Sequence, residues 1–188
     1  MTHYPATGLC REFLVTAEPP GLGPDSRPGI TGLQTLNHRL DDVLRDAPLA
    51  HANVELVRAL ALLWHDHLDA SHSIAHRVDN EDGAHLHAMM HRREPDYWNA
   101  KYWFRQAGRH RINPALATRA YGLLDAANEP GLRDKLVPGG EWDPFAFVDA
   151  CEQAEKLALS ASVRQTLRAV QAAEFALLLD HLVGAPQV

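Results

Sequence analysis

The chain has 188 residues, of which 46% are hydrophobic and 22% charged, and this composition is typical of one folded globular domain. It excludes disordered and collagen-like proteins, and no apolar run is long enough for a membrane span. The 24 acidic and 18 basic residues give a net charge of −6, which argues against a nucleic-acid-binding protein.

Residues 1–32 predict an irregular N-terminal arm, because they hold five of the twelve prolines and five of the twelve glycines. Residues 33–188 predict a single helical domain. Apolar spacing and capping signals there favour an all-α bundle of six or seven helices.

The predicted helices follow in chain order. The first starts at the capping box Thr31-x-x-Gln34 and ends before Pro48. The next three run from Pro48 to about Arg77, from about Ala84 to Arg93, and from Pro95 to Gly108. The remaining ones start at Asn113-Pro114, at Asp143-Pro144 (where Trp142 and Phe147 suggest a hydrophobic staple) and near Ser162, the last ending at Leu182.

Histidine is the unusual residue of this chain, since seven of its twelve histidines lie within residues 65–91. Helical spacing aligns them in two stripes: His65, Asp69, His72 and His76 on the second helix, and His87, His91 and Glu94 on the third. A short connection makes these helices antiparallel neighbours. The spacing then predicts that His76 faces His87, that His72 faces His91 and that Asp69 faces Glu94, whereas His67 and His85 point away.

Imidazoles four residues apart on one helix face suit a divalent metal ion, which a carboxylate can complete. The predicted ligands are His72, His76, His87, His91 and Asp69. Nitrogen and oxygen donors fit zinc, iron, manganese or nickel, and the sequence does not choose among them. Two alternatives stay open: a metal-free site with histidine as acid and base, and buried histidines paired only with Asp69, Glu94 and the backbone.

The segment after the histidines combines five aromatic residues within 97–104 with nearby charge. Such a mixture suits a pocket that stacks a ring and binds its polar edge, although aromatic residues at helical spacing also suit a core. The predicted substrate-binding residues are Arg92, Arg93, Tyr97, Asn99 and Arg105. Because residues 85–111 hold six basic and two acidic residues, the expected ligand is a small polar or anionic molecule.

One long string resembles the signature of an uncharacterised bacterial and fungal family of helical proteins. The string is His87-Ala-Met-Met-His91-Arg-Arg-Glu-Pro-Asp-Tyr-Trp-Asn-Ala-Lys-Tyr-Trp-Phe104, accompanied by Leu63-Trp-His65, Ser71-His72 and residues 142–149. The resemblance covers roughly residues 60–150 and brings no established activity. It implies only that these segments belong to one site.

The sequence favours a small-molecule enzyme, a metal- or histidine-dependent hydrolase or lyase in which His72, His91 and Glu94 are catalytic. The alternatives are a ligand- or metal-sensing module without turnover and a structural assembly domain. A further, minor alternative is a phosphohydrolase built on the dipeptide His65-Asp66. Cys10 and Cys151 form no CxxC motif and the N-terminus has no signal-peptide pattern, so we expect a cytoplasmic protein. Homodimerisation stays open, and neither nucleic acid nor membrane is an expected partner.

Overall fold

A computed structural model describes residues 5–45, 47–157 and 159–184. Over these residues the protein is all-α and has no strand, which confirms the predicted class. The predicted number of six or seven helices was too low, because the described residues form ten α-helices. They are α1 (Pro5–Arg11), α2 (Leu33–Leu44), α3 (His51–Trp64), α4 (Leu68–Ala75), α5 (Glu81–Arg93), α6 (Tyr97–Ala107), α7 (Asn113–Ala126), α8 (Pro130–Leu136), α9 (Pro144–Lys156) and α10 (Ala161–Leu182).

The N-terminal arm is more regular than predicted. It contains α1 and a 3-10 turn at Glu12–Leu14. Its apolar side chains Cys10, Phe13 and Leu22 are buried in the same hydrophobic cluster as the later helices, and this burial orders the segment. Residues 1–4 of the predicted arm, and residues 185–188 at the end of the predicted domain, lie outside the described residues.

The long second helix predicted from Pro48 to Arg77 is wrong, because it is two helices. α3 begins only at His51, and the chain breaks at Asp66, whose φ of 61° is left-handed. The Asp66 carboxylate accepts hydrogen bonds from Arg27 at 2.8 Å and from Arg93 at 2.9 Å. These two distant arginines hold the break, and α4 starts in a new direction at Leu68.

The centre of the protein is α5, in which eleven consecutive residues, 83–93, are buried. Its N-terminus is capped by the Asn80 side chain, which accepts a hydrogen bond from the Gly83 amide. Gly83 also permits the tight α4–α5 connection, since a Cβ there would lie 2.1 Å from the Val78 carbonyl oxygen. α4 therefore folds back onto α5, and α6 also packs against α5.

The capping predictions had mixed outcomes. The Asp143 side chain caps α9 as predicted, and Trp142 and Phe147 form the staple with ring centroids 5.2 Å apart. The capping box at Thr31 is wrong, because Gly32 is the N-cap of α2 and no side chain caps it. Asn113 is likewise not a cap but the first residue of α7.

In the described part of the chain, no helix has the length and apolarity needed to cross a membrane.

Candidate metal centre

Three histidines converge where α4 packs against α5. His72 comes from α4, and its ring centroid lies 4.9 Å from that of His87 and 5.0 Å from that of His91, both on α5. His87 and His91 stack on each other at 4.7 Å. One ligand nitrogen from each of the three lies within 4.8 Å of the other two. The predicted facing of His72 with His91 is therefore confirmed, and these three histidines can share one ion.

Two buried nitrogen atoms in this cluster have no hydrogen-bond partner among the residues that the structure describes. They are Nε2 of His87 and Nδ1 of His91, and the two residues are 3% and 5% exposed. A buried polar atom without a partner is costly, and native structures contain few of them. The cluster thus lacks a binding partner for two of its nitrogens.

Glu94 stands beside the same three histidines. Its carboxylate oxygens lie 3.3 Å from Nδ1 of His91 and 4.0 Å from Nδ1 of His72, and the former pair is not aligned as a hydrogen bond. Burial raises the pKa of this half-buried carboxyl. Glu94 is therefore placed either to complete a metal shell or to accept a proton near it.

Two imidazoles of the cluster, those of His87 and His91, are neutral at neutral pH. Burial, followed by the charges of neighbouring histidines, lowers the pKa of His87 to about 3, and burial and His72 lower that of His91 to about 4. Metal ions bind neutral imidazole. Both side chains therefore offer lone pairs at neutral pH without first losing a proton.

Asn99 and Trp103, both on α6, contact two of the three histidines. Nδ2 of Asn99 lies 3.2 Å from Nε2 of His91, and the Trp103 ring stacks on His87 with centroids 4.1 Å apart. Asn99 was predicted to bind substrate. Its contact is instead with the ring nitrogen of His91, which gives it an orienting position.

His76 and Asp69 lie at the rim of the cluster. His76 faces His87 as predicted, but it is exposed and its ring is 5.9 Å away. Asp69 is also exposed and lines the same cavity as Glu94. Neither belongs to the group whose ligand atoms converge, so the structure does not place the predicted ligands His76 and Asp69 with the other three.

His65 departs from the predicted stripe. It lies in the break between α3 and α4, where its Nδ1 accepts a hydrogen bond from the Thr31 amide and its Nε2 contacts the Phe13 carbonyl oxygen. Asp66 is held by arginines. Both members of the His65-Asp66 dipeptide are thus engaged in joining the N-terminal segment to the core, which removes the basis for the phosphohydrolase alternative.

The structure corrects the prediction that Arg92 and Arg93 bind a substrate. Arg92 and Arg93 are fully buried and pair with Glu174 at 2.5 Å and with Asp66 at 2.9 Å. A buried guanidinium group needs a partner of opposite charge. Both arginines have such a partner in the core, and their side chains do not reach the surface. These two side chains are therefore not accessible to a substrate.

Tyr97 and Arg105 lie on α6 but not at the histidines. Burial and Glu155 raise the pKa of Tyr97 to about 12, and its buried hydroxyl has no hydrogen-bond partner in the described part of the chain. Arg105 is exposed and lines a cavity with Trp142 and Asn113. Neither residue lines the two clefts beside the histidine cluster.

A second group was not singled out from the sequence. Oδ1 of Asp82 lies 2.9 Å from Nε2 of His110 and 2.8 Å from Nε2 of His181. In contrast to the first cluster, both nitrogens are satisfied by hydrogen bonds to the carboxylate. The group joins α5, the α6–α7 connection and α10, residues too far apart in the chain for a spacing rule to connect them.

Two clefts flank the three histidines. One, of about 470 Å³, is lined by Glu94, Asp69 and His67, and the other, of about 580 Å³, by His76, Tyr102 and Trp103. Among the described residues, no Lys or Arg lines either cleft. The two clefts beside the cluster therefore carry carboxylates and no basic side chain, and His72, His87 and His91 themselves line neither of them.

The metal-free protein is expected to lose stability as the pH falls from about 6.5 towards 4. In the unfolded chain His87 titrates near 6.5, whereas in the folded protein it titrates at about 3 and His91 at about 4, so acid favours the unfolded state. Urea unfolding at several pH values measures this slope, and His87→Met is expected to flatten it. The exposed His38→Gln is the control, and an equal slope in wild type and His87→Met would contradict the assignment.

Comparisons with known protein families, with curated proteins and with solved structures find no match for this chain.

Proposed function

We propose that the protein is a metal-dependent enzyme that acts on a small polar molecule, with a divalent ion held by His72, His87 and His91. The observation that supports this proposal is the pair of buried, unpartnered nitrogens, Nε2 of His87 and Nδ1 of His91. A metal ion accepts such lone pairs directly. The hydrogen-bonded group at Asp82 has no comparable need for an ion.

The chemistry we propose is hydrolysis or a lyase reaction. Three imidazoles and one carboxylate suit zinc, iron, manganese or nickel, and an ion with an open position lowers the pKa of bound water or polarises a carbonyl. His72 and His91 then act as ligands rather than as acid and base. Glu94 is either the fourth ligand or the base that accepts the proton of the attacking water.

The two clefts beside the cluster favour an uncharged or cationic substrate over an anionic one. Arg92 and Arg93 are buried and paired, and the clefts carry the carboxylates of Asp69, Asp79 and Glu81 instead. A carboxylate-lined approach repels anions and attracts cations. We therefore propose a small polar substrate without a phosphate or carboxylate group at its reacting end.

Metal titration tests the proposal. Protein purified without a nickel column and stripped of metal is titrated with Zn²⁺ by calorimetry and with Co²⁺ by visible absorption, and one ion per chain is expected. Asp82→Asn is the matched control, because it alters the other carboxylate–histidine group and should leave this stoichiometry unchanged. Binding of no ion, or loss of the ion in Asp82→Asn, would refute the proposed centre.

Turnover is tested separately with a simple ester. Zinc-loaded protein is expected to hydrolyse 4-nitrophenyl acetate faster than the stripped protein, and Glu94→Gln separates the two roles of that residue. If Glu94 is the base, the variant keeps its zinc affinity and loses activity; if it is a ligand, the affinity falls as well. An ion that binds without any hydrolysis would instead favour the metal-sensing alternative.

Asn99→Ala is expected to weaken zinc binding by about 10- to 100-fold, as is typical when a partner of a metal-bound histidine is lost. When the metal takes Nδ1 of His91, Nε2 keeps the proton, and rotation of the Asn99 amide lets its oxygen accept it. Asn99→Asp should retain the affinity. Gln106→Ala on the same helix is the control, and wild-type affinity in Asn99→Ala would show that the amide does not orient His91.

We also propose a cytoplasmic location, since Cys10 and Cys151 are both free and buried thiols. Homodimerisation stays a prediction.

A further inference from the structure

The cleft of about 580 Å³ beside the histidine cluster lies between α6 and the connection from α4 to α5. Tyr102 and Trp103 line it from α6, and Asp79 and Glu81 line it from the connection and the start of α5. Aromatic ring faces and carboxylates both attract positive charge. The cleft therefore combines two kinds of surface that recognise a cation.

The two aromatic rings of the cleft are fixed nearly at a right angle. The ring centroids of Tyr102 and Trp103 lie 5.4 Å apart, and their ring planes make an angle of 84°. Trp103 also stacks on His87 at 4.1 Å, and Tyr102 stacks on the exposed Trp98 at 6.3 Å. Because each ring is packed against a further ring, the pair forms a preformed corner that can contact a compact cationic group from two directions.

The carboxylates of Asp79 and Glu81 have no counter-charge in the described part of the chain. Neither side chain forms an ion pair or a hydrogen bond with another described residue. Arg77 is the only lysine or arginine between residues 65 and 91, and its guanidinium lies 3.6 Å from Glu55 instead. Carboxylates without a counter-charge beside aromatic rings favour a ligand that brings a positive charge.

The remaining lining favours an organic cation over a metal ion. Ala75, Val78 and Ala84 supply apolar surface. A hard metal ion needs several converging oxygen ligands, and among the described residues Asp79 and Glu81 belong to no group of converging ligand atoms. An alkylammonium ion, which surrounds its charge with CH groups, matches a cleft of aromatic, apolar and acidic side chains.

We propose that this cleft binds an alkylammonium ion. The ammonium group would lie against the rings of Tyr102 and Trp103 and near the carboxylates of Asp79 and Glu81, and the alkyl part would contact the apolar side chains. Binding of this cation requires no metal. Its role as part of the substrate rests on the proposed function, because the cleft adjoins the proposed centre through the contact of Trp103 with His87.

Titration of the metal-free protein with choline, followed by NMR of the tryptophan indole N–H groups, tests the proposal. The Trp103 resonance, assigned by its loss in Trp103→Phe, is expected to shift in a saturable way. The uncharged alcohol 3,3-dimethylbutan-1-ol has the shape of choline with carbon in place of the nitrogen, and it should bind about tenfold more weakly or worse. Equal binding of the two, or no saturable shift up to about 50 mM choline, would overturn the proposal.

Two variants of Tyr102 separate its aromatic ring from its hydroxyl and do not depend on the folding of Trp103→Phe. Tyr102 is 39% exposed, so Tyr102→Phe and Tyr102→Leu should both fold, as circular dichroism verifies. Saturation-transfer NMR of the choline methyl signal should show wild-type affinity for Tyr102→Phe and about tenfold weaker binding for Tyr102→Leu. Tyr121→Leu, at a tyrosine of α7 that is 47% exposed and lies outside the cleft, is the matched control. Equal affinity of Tyr102→Leu and Tyr121→Leu would contradict the site.

The double variant Asp79→Asn, Glu81→Gln tests the carboxylates. It should bind choline about tenfold more weakly and the neutral alcohol as wild type does. Asp42→Asn, at an exposed carboxylate of α2, is the control, and equal choline binding by the control and the double variant would overturn the proposal. All these variants should still bind one zinc ion. A failed cation site therefore leaves the metal centre standing, and a protein that binds no zinc should still bind choline.

Discussion

His91→Ala is expected to reduce zinc affinity by at least about a hundredfold, since losing a ligand exceeds the 10- to 100-fold typical of losing a ligand's partner. Nδ1 of His91 is buried, lacks a hydrogen bond and lies 3.3 Å from Glu94. The substitution removes one of the three converging imidazoles, and the remaining two are too few to complete the set of metal ligands. Calorimetry, or competition with a chelator of known affinity, measures the change.

His76→Ala is the matched control, because it removes an imidazole from α4 that faces His87 at 5.9 Å but lies outside the converging group. Its zinc affinity should stay close to wild type. A double variant His87→Ala, His91→Ala should lose little more than either single variant, since the first substitution already opens the shell. If His76→Ala weakens binding as much as His91→Ala, the ligand set proposed for this centre is wrong.

The part of the centre that follows helical periodicity could be predicted from the sequence. α5 is one uninterrupted helix, so His87 and His91 fall on one face, and the short connection before it brings His72 opposite. These are local properties. They depend on the regular geometry of an α-helix and on the length of one short loop, and both can be inferred from the sequence.

The prediction failed where a long-range partner decided the structure. Asp66 breaks the helix because Arg27 and Arg93, 39 and 27 residues away, hold its carboxylate. That break removed His65 from the stripe. In the same way Arg92 appeared as a surface cation because nothing nearby in the sequence reveals its partner Glu174, 82 residues later. Spacing rules carry no information on such pairs.

Glu174→Gln is expected to destabilise the protein by about 3–5 kcal/mol, the usual effect of removing one partner from a buried ion pair. Glu174 is fully buried, with one oxygen 2.5 Å from Arg92 and the other 3.2 Å from His85. The amide keeps the size but leaves the Arg92 guanidinium buried without a counter-charge. Urea or thermal unfolding in metal-free buffer measures the loss.

Glu174→Gln is also expected to change how the stability of the protein depends on pH. Burial by itself would raise the pKa of Glu174, but Arg92 and His85 lower it to about 2, against an ordinary value of 4.5. A carboxyl whose pKa is depressed on folding stabilises the protein above about pH 4.5 and loses that contribution as the pH falls towards 2. Glu174→Gln should therefore show a shallower loss of stability across this interval than wild type.

Two further variants show whether the charge pair itself causes these effects. Glu152→Gln, in an exposed i,i+4 pair with Lys156, should change stability by no more than about 0.5 kcal/mol. The double variant Glu174→Leu, Arg92→Met should recover much of the stability lost in Glu174→Gln, because apolar side chains of similar volume need no counter-charge. If the double variant is instead less stable than Glu174→Gln, packing around α5 and α10 depends on the shape of these side chains rather than on the balance of their charges.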